Sequence, residues 1–298
     1  MARYERPSEL DAALALRTDL QDAVVLAGGT DVYPVRVTTA TWQSAAPPDV
    51  LDISAVKALH GIEENDGHWR IGGLTTWTDI AEATLPPLFA GLQGAARTIG
   101  GRQIQNRGTL GGNLCNASPA ADGAPCLQAL DASIELRSRT GTRLLPMTEF
   151  LEGNRRTACR TDELLTAIIV PKPTASAARG AFCKLGARRY LVISIVMAAG
   201  VIEIDSAGSI TEARISVGAC SEAAQRITAL EQRLIGAQNA DDLARLLKAD
   251  DLAVLSPIAD VRASADYRCD AAVTVVRDLL GLLSGDGAVA GIHLGSAA

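Results

Sequence analysis

The run Thr109-Leu110-Gly111-Gly112-Asn113-Leu114-Cys115-Asn116-Ala117-Ser118-Pro119-Ala120-Ala121-Asp122 joins two adjacent glycines to a series of small and neutral polar side chains. Just before it stands Thr98-Ile99-Gly100-Gly101, and a related stretch, Ala27-Gly28-Gly29-Thr30-Asp31, lies near the N-terminus. Paired glycines remove the Cβ atoms that keep an anion away from the backbone, and they reach dihedrals at which successive N–H groups converge. Thr30, Thr109, Asn113, Asn116 and Ser118 add neutral hydrogen-bonding groups. Gly-Gly also marks ordinary turns and helix C-caps, so one pair alone carries little. Pairs at 28–29, 100–101 and 111–112, followed by Thr, Arg and Asn rather than Pro, read together as two halves of a dinucleotide cradle. No G-x-x-x-x-G-K-[ST] occurs, since none of the four lysines follows a glycine, and no G-x-G-x-x-G opens a helix after a strand.

Outward from the cradle, Ala23 to Ala27 is an apolar β-branched run that predicts a buried strand delivering Gly28 and Gly29 at its end. Ser8 and Asp11 resemble a capping box before a short helix with Leu10, Ala13, Leu14 and Leu16, and Val50 to Ile53 predicts another strand. Asn65-Asp66-Gly67 sets a hairpin between Gly61–Glu64 and His68–Gly72, Thr76 with Asp79 caps the next helix, and Leu88 to Ile99 predicts a second helix. Strands are expected at Ile134 to Ser138 and Ala167 to Val170. Pro171-Lys172-Pro173 with Thr174-Ala175-Ser176-Ala177 is the best domain boundary. Past it come a hairpin of Ser194–Ile204 and Ile210–Gly218, helical stretches near Ile227–Ile235, Ala240–Lys248 and Tyr267–Leu283, and a small, glycine-rich end, 285–298, expected to be a flexible tail.

A chain of 298 residues that is 48% hydrophobic forms one large or two ordinary domains, and with 3% aromatic content its core is filled by Ala, Val, Leu and Ile. The net charge of −6 disfavours nucleic acid, and the pairs Arg155-Arg156 and Arg188-Arg189 are too short to reverse that. The segment Met1 to Arg6 has no apolar core of a secretory signal, and the longest apolar run, Leu191 to Ile204, is too short to span a bilayer. A soluble cytoplasmic protein is expected. Cys115, Cys126, Cys159, Cys183, Cys220 and Cys269 form no C-x-x-C, so no zinc or iron–sulfur site is expected in the chain.

In order and content these segments resemble the FAD-binding subunits of the molybdenum hydroxylases, the group containing xanthine dehydrogenase and aerobic carbon monoxide dehydrogenase, which pair an A-G-G-T-[DE]-like loop with T-I-G-G and T-[LI]-G-G-N-L-x-x-A-S-P-x-[AS]-D. The resemblance implies an α+β fold: a peroxidase-type (PCMH) FAD-binding domain over 1–173, with subdomains of about 1–57 and 58–173, then a small C-terminal α+β domain with an antiparallel sheet over 178–284. It lays Val25, Leu26, Ala27, Gly28, Gly29, Thr30, Asp31 and Val32 along the FAD pyrophosphate and adenosine, with Ile99, Gly100 and Gly101 completing the cradle and Thr109, Leu110, Gly111, Gly112 and Asn113 continuing it. Asp122 offers a carboxylate to the cofactor, Leu165 matches an apolar flavin contact, and Lys184 matches a lysine near the flavin, although a lone lysine at a strand end is ordinarily a solvated charge. Tyr190 is the aromatic nearest that lysine. A Cβ at Gly29 or Gly111 is expected to fill the pyrophosphate's space and to forbid positive φ.

The chemistry must come from a cofactor, because His60, His68 and His293 are scattered and no H-E-x-x-H or G-x-S-x-G is present. The resemblance implies non-covalent FAD here, no catalytic side chain and no metal. It places molybdopterin on a large partner subunit and [2Fe-2S] clusters on a small one, in a dimer of heterotrimers whose electrons leave through this flavin. Two other readings stand beside it: a self-contained flavin oxidase of the same broad fold, and a non-catalytic interaction protein. The substrate and the final electron acceptor cannot be read from this chain.

Overall fold

The computed structural model describes residues 2–34, 48–188 and 191–284, together with the backbone of 292–296. Tyr190 and Arg189 lie outside the described residues. A small parallel sheet opens the fold, with β1 (Tyr4–Glu5), β2 (Val24–Leu26) and β3 (Val50–Asp52) in the order β1-β3-β2. Parallel strands cannot be joined by a tight turn, and the helix Leu10–Asp19 carries the chain from β1 to β2. Its N-cap is Glu9 with no side-chain bond, so the expected Ser8–Asp11 capping box does not form; the burial of Ala13 and Leu14 holds the helix instead. As expected, β2 runs out into Gly28 and Gly29.

The second sheet begins with β4 (Ile62–Glu64), β5 (His68–Gly72), β6 (Ser133–Ser138) and β7 (Gly141–Pro146). After a small hairpin of β8 (Leu151–Gly153) and β9 (Arg156–Thr157), the chain returns as β10 (Leu164–Pro171) to the middle of that sheet. The order is β4-β5-β10-β6-β7, antiparallel throughout. The capping box at Thr76 is realised, with Asp79 N donating to Thr76 Oγ1 at 3.1 Å and Thr76 N to Asp79 Oδ2 at 2.9 Å. Leu110–Asn116 is one of the helices not expected from the sequence, since each interior glycine disfavours helix by about 1 kcal/mol. Leu110 and Leu114, one turn apart and fully buried, outweigh that cost, with Thr109 as cap and Ala117 ending the helix at φ 45°.

The third sheet has β11 (Ala177–Gly186), β12 (Val196–Ile204), β13 (Ile210–Gly218), β14 (Gln225–Arg226) and β15 (Ile292–Ser296) in the order β14-β13-β12-β11-β15. β15 departs from the flexible tail expected over 285–298: its backbone pairs parallel with β11, satisfying donors and acceptors that an edge strand leaves open. Side chains alternate across β11. Ala181, Cys183 and Leu185 face Val276, Leu279 and Leu280 of the helix Ala265–Leu283, whereas Phe182 turns the other way into a core shared with Trp69, Phe89 and Leu92. The same two-residue period puts Lys184 on the side of Phe182.

That shared core fixes the third sheet against the second. Met197, Ala199 and Val201 of β12 join Phe182 in it, and each fully buried side chain of the size of Phe182 or Met197 contributes about 1.5–3 kcal/mol. Close backbone approach is built in, because a Cβ on Gly91 would stand 2.7 Å from the Ala181 carbonyl oxygen and one on Gly180 would stand 2.4 Å from that of Leu88. Buried Gln128 completes the seam, accepting from Ser216 Oγ at 2.7 Å and donating to the Ala224 carbonyl at 2.9 Å. The cleft beside this seam therefore has fixed walls.

Candidate cofactor site

Three cavities follow one another through the glycine-rich segments. The smallest, about 260 Å³, is bordered by Val25, Ala27, Gly111, Gly112 and Cys115 and by the apolar Ile53, Leu74, Leu164 and Leu165. The next, about 290 Å³, shares Val25, Ala27, Gly112 and Cys115 with it and adds Gly28, Gly29, Thr30, Asp31, Val32, Ile99, Thr109 and Asn113. The largest, about 750 Å³, shares Thr30, Asp31, Ile99 and Asn113 with the second and reaches Gly100, Asp122, Lys184 and Ser194. Leu165 and Lys184, both tied to the flavin by resemblance, thus lie at opposite ends of the series. Leu26, Leu110 and Gly101 border none of the three: the two leucines are core residues, and Gly101 is the N-cap of the helix Arg102–Gln105.

The two halves of the cradle differ in what they offer. At Gly29 φ is +75°, and among the described residues the amides of Gly29, Thr30 and Asp31 meet no protein acceptor. In contrast, the amides opening the helix Leu110–Asn116 are already satisfied: Leu110 by the Thr75 carbonyl at 2.9 Å, Gly111 by that of Gly73 at 2.9 Å, and Gly112 by Thr109 Oγ1 at 3.1 Å. The 109–113 segment therefore shapes the site and lends side chains, while the free amides come from the 29–31 loop. Asn113 Oδ1 is a buried acceptor without a partner at the junction of the second and third cavities.

The glycines also divide. A Cβ on Gly28 would stand 1.9 Å from the Arg107 carbonyl oxygen, and one on Gly111 would stand 2.5 Å from that of Gly73. Gly111 is thus required by backbone packing, which corrects the expectation that its Cβ would fill ligand space or meet a positive φ. The Gly72-Gly73 pair, not singled out in the sequence, is its packing partner. Gly112 does face the cavities, with only Thr109 Oγ1 at 2.8 Å and Ala27 Cβ at 3.9 Å near its added Cβ.

Lys184 is not a solvated charge. Its side chain is 2% exposed, and Nζ donates to Asp122 Oδ2 at 2.6 Å, while Ser194 Oγ donates to Asp122 Oδ1 at 2.5 Å. Beside this cluster, buried Arg268 holds the Ile195 and Ala219 carbonyls and the Asp260 carboxylate. Arg155, at φ 59° in the turn of the β8/β9 hairpin, donates its amide to the Ala117 carbonyl at 2.8 Å and its guanidinium to Asn116, closing one side of the third cavity. Ser194 carried no local signal. Arg268 was detectable only as the first member of the 268, 271, 272, 275, 276 stripe on its helix.

Cys115 counts as exposed because it borders the two smaller cavities, yet desolvation at its sulfur pushes the thiol up to about 12. Little thiolate is available there at neutral pH. Among the described residues no group of three or more His, Cys, Asp or Glu side chains is placed to hold a metal ion, and no helix is long and apolar enough to cross a membrane.

The family described as the FAD binding domain in molybdopterin dehydrogenase matches residues 1–173, and the CO dehydrogenase flavoprotein C-terminal domain matches residues 181–282. The chain belongs to the FAD subunits of the molybdenum hydroxylases. These FAD subunits are parts of molybdopterin-dependent oxidoreductases. Nicotinate dehydrogenase FAD-subunit of Eubacterium barkeri is 34% identical over 237 residues, 78% of each chain. Carbon monoxide dehydrogenase medium chain of Afipia carboxidovorans is 32% identical over 282 residues, 92% of this chain and 93% of the relative. Among solved structures, the reconstituted CO dehydrogenase from Oligotropha carboxidovorans superposes with a TM-score of 0.84 at 28% identity, covering 94% of this chain and 96% of that one.

The residues present fit FAD. The free amides of the 29–31 loop with Gly29 at positive φ, the Gly112 surface that opens to the cavities past Thr109 Oγ1, and the orphaned Asn113 oxygen are provisions for a polar ligand in this cleft.

Proposed function

We propose that this chain is the electron outlet of a three-subunit molybdenum hydroxylase. Bound FAD would supply the redox chemistry, taking electrons from [2Fe-2S] clusters on a small partner subunit and giving them to an external acceptor. The molybdopterin centre that oxidises the substrate would sit on a large partner, and by resemblance the assembly is a cytoplasmic dimer of heterotrimers. The observation that carries this reading is the run of three cavities joining both glycine-rich segments to a buried lysine–carboxylate pair, on a chain of this family.

In this reading the apolar cavity at Leu164 and Leu165 receives the adenosine, so Leu165 meets the adenine end of FAD in place of the flavin contact the resemblance implied, and the 29–31 amides and Gly112 receive the pyrophosphate. The third cavity receives the flavin ring beside Lys184. Two relatives of similar identity are named for nicotinate and for carbon monoxide, which suits a subunit that does not contact the substrate.

The purified chain is expected to bind FAD, to show bleaching of the flavin spectrum with dithionite and recovery with an external acceptor, and to oxidise no organic substrate by itself. Deleting it from the complex is expected to stop turnover with the natural acceptor while substrate still reduces the remaining subunits. Turnover of a substrate by the lone chain, or full activity without it, contradicts the proposal. Acid precipitation is expected to release all of the flavin; yellow colour retained in the pellet would point to a covalent bond, contrary to the high-lying Cys115 thiol.

A further inference from the structure

The largest of the three cavities contains a buried polar cluster that cofactor binding alone does not explain. Asp122 precedes the helix Gly123–Ala129, Lys184 comes from β11, and Ser194 from the segment before β12. All three border the cavity and are 5%, 2% and 1% exposed. Among the described residues Asp122 takes one donor on each oxygen, the ammonium on Oδ2 and the Ser194 hydroxyl on Oδ1. Lys184 has three N–H donors, and Asp122 is its one hydrogen-bond partner there. Lys184 itself borders the cavity.

We propose that Ser194 is a positioning residue: by occupying Asp122 Oδ1 it holds the carboxylate to a single contact with Lys184, which leaves the rest of the ammonium turned to the cavity and sets the site's preference for reduced over oxidised flavin. The inference rests on the assignment of the flavin ring to this cavity. A buried carboxylate oxygen that loses its donor seeks another, and Lys184, already bonded to the same carboxylate, has unspent ones. Without the hydroxyl the two groups close on each other and the ammonium is withdrawn from the cavity. A reduced flavin carries more electron density than an oxidised one, so a fixed cation in a low-dielectric pocket favours it selectively. Ser194 thus acts through Lys184 without touching the cofactor.

The test uses the full chain reconstituted with FAD, reading the flavin midpoint potential against reference dyes, the dissociation constant of oxidised FAD, and the thermal midpoint of the apo chain as a control for folding. Ser194→Ala is expected to lower the ratio of reduced to oxidised affinity about tenfold, which is about 30 mV for a two-electron couple. Lys184→Met shifts it in the same direction by at least as much, and Ser194→Thr, which keeps the hydroxyl, stays near the wild type. In the Lys184→Met background, Ser194→Ala adds nothing further. An unchanged potential in Ser194→Ala, or a shift that persists undiminished without Lys184, overturns the proposal while leaving FAD binding intact. A wild-type chain that retains no FAD overturns both this inference and the functional reading beneath it.

Discussion

Gly112→Val keeps the fold and loses FAD, whereas its neighbour Gly111→Val does not fold. Valine costs no more helix propensity than the glycine it replaces. Its Cβ displaces the Thr109 hydroxyl that caps the helix, worth about 1 kcal/mol, and otherwise enters open cavity. A thermal midpoint within about 4 °C of wild type is expected, with FAD affinity reduced about a hundredfold, or ~3 kcal/mol. At Gly111 the obstacle is the Gly73 carbonyl, and Gly73 is itself pressed toward the Leu165 carbonyl, where its own Cβ would stand at 2.6 Å. Three backbones meet and none can yield. Overpacking of more than about 3 kcal/mol is expected, visible as loss of soluble protein or of the cooperative unfolding transition. Equal FAD content in Gly112→Val and wild type would remove the pyrophosphate from this surface.

Arg268→Met is expected to destabilise the chain by about 3–5 kcal/mol, the cost of breaking a buried charged network by removing one member. Methionine fills part of the space but leaves the Ile195 and Ala219 carbonyls without their donor, and Asp260 without one of its two guanidinium partners. Chemical denaturation of variant and wild type measures it. The loss should extend to flavin binding, because Arg268 itself borders the large cavity and holds the carbonyl of Ile195, the residue after the cavity-lining Ser194. Acid reports the same network. Burial would raise the Asp260 carboxyl, but the Arg262 amide and the Arg268 and Arg262 guanidiniums outweigh it and hold it at about 2. A depressed carboxylate stabilises the fold above its ordinary value, so this contribution is complete above about pH 4 and lost as the pH falls toward 2. Arg268→Met should flatten that part of the stability profile.

Much of the framework was legible because its signals are local. Asn65-Asp66-Gly67 turned its hairpin as read, the chain reversed again between Ile204 and Ile210, Thr76 and Asp79 formed their box, and the strand before Gly28 emerged where the β-branched run placed it. What was not legible depends on contacts distant in sequence. Leu110–Asn116 is helical because Leu110 and Leu114 are buried by the rest of the protein, which no local propensity reports. β7 was missed because it is an edge strand with four of its six residues exposed and only Arg143 and Leu145 partly buried, so it presents no apolar face to read. Lys184 is buried because Asp122 lies beneath it, and Asp122 is held by a serine 72 residues away. The glycines read as a cradle, but which of them faces open cavity and which faces backbone follows only from Arg107, Gly73 and Thr109.

Diffraction from crystals of the full chain loaded with FAD tests the central claim most directly. The account predicts pyrophosphate density against the amides of Gly29, Thr30 and Asp31, adenine beside Leu165, and the flavin ring in the large cavity beside Lys184. Density for the cofactor in any other part of the molecule, or these three cavities filled by solvent at saturating FAD, would contradict it.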